Sequence, residues 1–456
     1  MTRYLALAVS TLAAASMPAI AGDLLSVNPT IRDIVAAVSA DHIAATERKL
    51  QSFGTRHIES DTQDPVQGIG AARQWIYDQF KSYSPRLEVR FDKYRVKKQG
   101  RITRDTELMN VIATLPGTVH PDHQILVTGH YDSLVVHPKK GTKPPELDFD
   151  RAAAELFAPG VTDDGSGTAA VLELARVMSG HQFDNTVVFI AFAGEEEGLI
   201  GASLFAEKAR KEGTKIDADL NNDIIGSVLS GNGNTDNTRV RVFSEEPADS
   251  SSRELARYIR EIGWRYEPSL AVECVFRADR FMRGGDHTPL NQNGFAAVRL
   301  TTPSENYSHQ HTVTDTFENT SPEYATKVAR LNAAVAASLA LAPLPPDVDR
   351  VIEKGEHKGE TAPRITRGKS GYDAHLEWKK ENPEPDLLGY AVVMRSTTAP
   401  FWEHEVFVGN VQEYTLENVS IDDVVLGVKA VDKDGNESVV APYVFRPRAV
   451  RKIETY

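Results

Sequence analysis

The sequence predicts an α/β fold, a mixed, mostly parallel sheet flanked by helices, with an all-β sandwich attached behind it. Three observations predict this. Strand-like and helical runs alternate from about residue 124 to 341, the pattern of strands joined by crossover helices. Beyond the proline-rich stretch from Pro343 to Pro346 the hydrophobic period changes from helical to two. The composition, 41% hydrophobic and 25% charged over 456 residues, belongs to a chain that folds rather than to a disordered or fibrous one.

The chain begins with Arg3, an apolar run from Tyr4 to Ala15, and Ala19-Ile20-Ala21 before Gly22, which reads as a signal peptide over residues 1–21. That run is too short for a membrane helix, and no later stretch reaches the roughly 18 apolar residues a span needs. The expectation is an exported protein, periplasmic or secreted, without an integral membrane segment once the signal is removed. Cys274 is the only cysteine, so no intrachain disulfide can form and packing must carry stability. With 64 acidic against 51 basic residues and a formal charge of −13, nucleic-acid phosphates and anionic lipid are disfavoured as partners.

Next, Ile31, Ile34, Val35 and Val38 fall on one helical face, and Trp75, Ile76 and Phe80 on another within 68–83. Residues 23–63 fit either a removable propeptide or a packed part of the domain. Strands are expected at 124–129, 186–193 and 295–301, and helices at 166–178, 202–212 and 321–341. The last helix carries a Ser321 cap and Pro322 in its first turn. Residues 22–346 are thus one domain, 347–361 a charged, glycine-containing linker, and 362–447 the sandwich. There Ala374, Leu376 and Trp378 alternate with His375, Glu377 and Lys379, the alternation returns at 390–395 and 424–431, and Asp434-Gly435 signals a turn. Trp378, Tyr390 and the strand from Val428 to Val431 running into Asp432 to Ser438 resemble a fibronectin type III module. Val424 stands where that family usually places a tyrosine.

Five segments rich in carboxylate or imidazole follow predicted strands or lie in loops, where open sheets place ligand sites. His130 and Asp132 are two apart at a strand end and share a face, so Asp132 can orient a metal-binding His130. Asp163 and Asp164 lie in a glycine-punctuated turn that opens a helix, and Glu195, Glu196 and Glu197 mass where an apolar strand surfaces. Three adjacent acids repel unless cations offset them. Asp223 follows Asn222, and His309 and His311 compete for one role before Asp315-Thr316.

In this order the segments resemble the co-catalytic zinc aminopeptidases related to bacterial leucyl aminopeptidase and aminopeptidase Y, over roughly residues 50–342. The resemblance implies a zinc-peptidase fold for residues 22–346 and two Zn²⁺ per chain. It makes His130 and Asp223 ligands of one ion, Glu196 and His311 ligands of the other, Asp163 the bridge, and Glu195 the general base. It prefers His311 over His309 by the distance to Asp315-Thr316, and implies a cis peptide between Asp163 and Asp164. Three carboxylates and two imidazoles suit Zn²⁺, and two such ions acidify a shared water and polarise a scissile carbonyl. The implied activity is hydrolysis of N-terminal residues from a peptide substrate. Ligands alone do not say which end of the substrate is anchored, so a carboxypeptidase or dipeptidase on the same scaffold stays open. From another class, so does an inactive exported binding or adhesion protein.

Overall fold

The computed structural model describes residues 27–142, 146–355, 358–379, 384 and 386–444. The expected signal peptide and the last three residues of 362–447 lie outside it. Helices α1 (Pro29–Ala37), α2 (Ala40–Gln51) and α3 (Gly68–Tyr83) open the described chain, α1 capped by Asn28 and α2 by Ser39. Then come β1 (Glu88–Val96), β2 (Thr106–Leu115), β3 (His120–His130), α4 (Phe149–Ala153), α5 (Ser166–Met178), β4 (Asn185–Phe192) and α6 (Ile200–Glu212). They are followed by β5 (Lys215–Asn222), β6 (Arg239–Ser244), α7 (Ser251–Tyr266), β7 (Ala271–Val275), α8 (His287–Gln292), β8 (Ala297–Thr301) and α9 (Pro322–Leu341). Expected and observed elements agree to within a few residues, and α9 carries its Ser321 cap.

The eight strands form one sheet in the order β1-β2-β4-β3-β5-β8-β6-β7. Its centre, β4-β3-β5-β8, is parallel, and antiparallel pairings flank it. Strand β4 shows why a continuous apolar run was needed there. Val187, Phe189 and Ala191 enter the core under α1, α2, α3, α5, α7 and α9, while Val188, Ile190 and Phe192 enter a second core with α6 and α8. Residues 27–63 are part of this architecture, because Ile31, Ile34, Leu50 and Phe53 are buried in the larger core.

The C-terminal unit has a three-stranded and a four-stranded sheet. The first is β11 (Ile365–Thr366), β12 (Ala374–Glu377) and β15 (Glu413–Leu416); the second joins β14 (His404–Gly409), β13 (Leu387–Ser396), β16 (Val424–Asp432) and β17 (Ala441–Pro442). Trp378 and Tyr390 meet edge to face at 5.4 Å in their shared core. Within the stretch read as a linker, β9 (Asp349–Val351) pairs with β10 (Thr361–Pro363). Burial alternates along β12 as expected, but β13 and β16 are buried on both faces.

The reason is helix α7, which lies against the face turned away from the sandwich core. Arg395 pairs with Asp249, Trp402 Nε1 donates to Glu254 Oε2 at 3.0 Å, and Arg257 donates to the Pro400 carbonyl at 2.7 Å. Tyr258 donates to the Glu437 carbonyl at 3.0 Å, and Phe276, just past β7, meets Phe401 at 5.9 Å between rings. Tertiary contact thus covers the second face of this sheet.

Candidate metal centre

The expected site residues come together at the C-terminal ends of the parallel strands. His130 ends β3, Glu195 and Glu196 follow β4, Asp223 follows β5, Asp163 lies in the Val161–Gly165 turn before α5, and His311 lies on the loop from β8 to α9. Close approach of backbones makes this convergence possible. At Gly167, a Cβ would lie 2.3 Å from Asp164 Oδ2 and 2.4 Å from the Asn222 carbonyl oxygen, so only glycine lets α5 start against β5.

His130, Glu195 and Asp223 offer donor atoms within 4.8 Å of one another, and Asp163, Glu196 and His311 form a second such group. Asp163 joins the two: Oδ1 is 3.3 Å from His130 Nε2, and Oδ2 is 3.0 Å from His311 Nε2. The same His311 nitrogen is 3.1 Å from Glu196 Oε2. Asp132 lies behind, 3.6 Å from His130 Nδ1, and accepts the backbone N–H groups of Glu195 and Glu196 at 3.3 and 3.1 Å. It therefore positions both a ligand candidate and the acid pair. His309 is half-buried and turned to Thr314 Oγ1 at 2.8 Å, outside both groups. The Asp163–Asp164 peptide is cis, as the resemblance implies.

Electrostatics mark the same place. Desolvation, with Asp223, Glu196 and Asp163 nearby, holds the Glu195 carboxyl well above its ordinary range despite His130. Burial opposes a charge on His130 and His311, yet neighbouring carboxylates, Asp132 and Asp163 for the first and Glu196 and Asp163 for the second, raise both well above ordinary imidazole. Both nitrogens of His130 and Glu196 Oε1 are buried without a hydrogen-bond partner among the described residues. Buried donors of this kind, facing one another in a set of imidazoles and carboxylates, fit zinc.

Several residues of the site were absent from the sequence reading. Arg299 is fully buried and pairs with Asp223 at 3.0 Å and with Asp279 at 3.3 Å. A lone arginine inside the apolar strand Ala297–Thr301 was the available signal. Gln310 donates to Asp163 Oδ2 at 2.6 Å, and Asp315 accepts from the backbone of Thr162 and Asp163. Arg56 is fully buried and donates to the carbonyls of Leu50, Tyr131, Pro159 and Gly160, tying the N-terminal segment to the loops that carry Asp132 and Asp163. Asp286 is buried with both oxygens unpartnered among the described residues, and burial followed by Glu195 raises it well above the carboxylate range.

Comparison with known proteins decides the family. The profile of peptidase family M28 matches residues 110–336. A protein from Pyricularia oryzae named probable zinc metalloprotease is 36% identical over 456 aligned residues, spanning 91% of this chain and 85% of the relative. The chain belongs to peptidase family M28. It is a zinc metallopeptidase, and a second probable zinc metalloprotease, from Pyrenophora tritici-repentis, is 33% identical across 90% of this M28 chain and 85% of its own. Among solved structures, the LapA aminopeptidase of Legionella pneumophila aligns with TM-score 0.52 at 20% identity, over 69% of this chain and 76% of that one. LapB of the same organism aligns with TM-score 0.53 at 20% identity, over 70% and 76%. These two likenesses show that the M28 chain shares their fold. No helix among the described residues is long and apolar enough to cross a membrane.

Proposed function

We propose that this M28 peptidase is an exported aminopeptidase working with two zinc ions per chain. The observation that carries the reading is Asp163, whose two carboxylate oxygens face His130 and His311 separately and so join two donor groups. In this assignment His130 and Asp223 hold one ion, Glu196 and His311 the other, and Asp163 both. Bound zinc supplies acidification of a water and polarisation of the scissile carbonyl. Glu195, half-buried and held through its backbone by Asp132, takes the proton from the attacking water as its oxygen bonds to the carbonyl carbon. It then passes that proton to the amine as the C–N bond breaks. The surrounding carboxylates, Asp286 among them, favour the ammonium of a free amino terminus, and LapA, of the same fold, is named an aminopeptidase.

The remaining assignments are part of the proposal. Residues 1–21 direct export to the periplasm or beyond, supported by the order of basic residue, apolar run and small-residue cleavage pattern. Residues 22–346 form the peptidase domain, and 362–447 a fibronectin type III-like module, supported by its two sheets around Trp378. The test is metal analysis of the full chain together with Glu195→Gln. Two zinc ions per chain are expected in both proteins, with turnover of an aminoacyl substrate in the variant lower by about 10²–10⁴-fold. Cleavage of an amino-blocked dipeptide but not of a carboxyl-blocked one would reassign the enzyme as a carboxypeptidase. Full turnover after complete zinc removal would sink the zinc mechanism.

A further inference from the structure

The loop between β7 and α8 brings two arginines to the metal centre. Arg280 and Arg283 both pair with the same oxygen of Glu305, at 2.7 and 3.0 Å. One carboxylate cannot neutralise two guanidiniums. Arg280 is the more enclosed and has a second partner, Asp279, at 2.9 Å, whereas Arg283 leaves 30% of its side chain exposed.

Arg283 is also the one tied to the site. Its Nη1 lies 3.5 Å from Gln310 Oε1, and Gln310 Nε2 donates to Asp163 Oδ2 at 2.6 Å. The guanidinium is therefore a single side chain away from the carboxylate that joins the two donor groups. Burial pulls its pKa down, but Glu305, Asp163 and Asp223 outweigh burial and hold it above the ordinary value, so it sits in the field of the centre. The Tyr307 ring lies 5.9 Å from the guanidinium, within reach of a cation–π contact. Only Nη1 is used: among the described residues Nε and Nη2 have no protein partner. Those two N–H groups are the side-on fork of an arginine, whose planar geometry matches a carboxylate in two parallel hydrogen bonds.

We propose that Arg283 binds a carboxylate of the substrate through this free edge and so selects peptides bearing a carboxylate next to the bond cleaved. The group is either the free C-terminus of a dipeptide or an acidic side chain on the second residue. The inference rests on the aminopeptidase reading above and narrows its substrate class.

The experiment compares three peptides on the zinc-loaded full chain: a dipeptide with a free carboxylate, its C-terminal amide, and an amidated dipeptide whose second residue is Glu. Preference over the plain amide by about tenfold or more in kcat/KM, carried mainly by KM, is expected for at least one carboxylate peptide. Which one it is identifies the carboxylate. In Arg283→Gln the ratio should collapse to about one, and Arg283→Lys, keeping the charge but not the fork, should restore part of it. Zinc content should not change. Calorimetric binding of reduced-bond analogues of the same three peptides is read alongside, so a chain that cleaves none of them, which defeats the aminopeptidase reading, still reports on Arg283. No carboxylate preference in the wild type, a preference that survives Arg283→Gln, or zinc loss in that variant would each overturn the inference.

Discussion

Where helix α7 meets the C-terminal sandwich, buried charges come in opposite pairs, whereas at the strand ends carboxylates crowd against one another. Glu254 faces Arg257 and the Trp402 indole, Arg395 faces Asp249, and Lys429 lies 2.8 Å from Glu405 and 3.1 Å from Glu437. At the other place Asp132, Asp163, Asp164, Glu196, Asp223 and Asp286 are all buried within one neighbourhood, and several of their oxygens, with both His130 nitrogens, lack hydrogen-bond partners. Burial of charge is costly in both regions; in the first each charge meets an opposite one inside the protein, whereas in the second Arg299 and the two imidazoles offset only part of the acidic crowd. The difference separates structure from function. Paired charges hold two units together; crowded acids with unpartnered donors wait for a cation.

Breaking the crowded side should have the largest effect. Asp163→Ala removes the oxygens facing both imidazoles, and is expected to abolish zinc retention and turnover together; an unchanged zinc content would remove Asp163 from the ligand set. Arg299→Gln is the sharper cut, since it takes away the buried cation paired with Asp223 while leaving every ligand candidate in place. Zinc affinity in a metal titration should fall by about 10–100-fold. An unaltered affinity would make Arg299 a structural cation only.

The paired side should respond in stability and leave the zinc in place. Arg395→Ala removes the nearer of the two arginines paired with Asp249, leaving Arg257 at 3.9 Å, and should cost about 3 kcal/mol in denaturant unfolding. Loss of zinc without loss of stability would contradict the division between the regions. The smallest effect concerns pH. Burial pushes Glu254 up from 4.5 to about 7 in spite of Arg257 and Trp402. The folded state therefore holds this proton more tightly than the unfolded one, so the contribution to stability is full below pH 4.5 and fades as pH rises toward about 7. Glu254→Gln should flatten that part of the stability profile, and an identical slope in wild type and variant would show that Glu254 does not set it.

The two regions were unequally legible in the sequence. The segments that carry His130, Asp163, Glu195, Glu196 and Asp223 could be picked out because they follow a strand or open a helix, and strand ends are set by local periodicity; the choice of these residues within them came from the resemblance. His311 could be preferred over His309 only through resemblance, and the structure separates them by turning His309 to Thr314. Arg56 and Gln310 were not legible at all, and Arg299 showed only as a lone arginine inside an apolar strand. Each acts on a residue far along the chain, and nothing in the neighbouring sequence names that partner. At the sandwich, alternation was read in 390–395 and 424–431, but both strands are buried on two faces because α7 covers one of them.

By itself, then, the sequence determined where helices and strands form and that segments rich in carboxylate and imidazole sit at the ends of core strands, because period and residue type act over a few neighbours. Only the tertiary structure decided which of those groups lose water and what replaces it. Asp223 finds Arg299, Asp249 finds Arg395, and Arg283 keeps an open edge beside Asp163 through Gln310. The energy of a charge depends on every group packed around it, and those groups come from distant parts of the chain brought together only by folding.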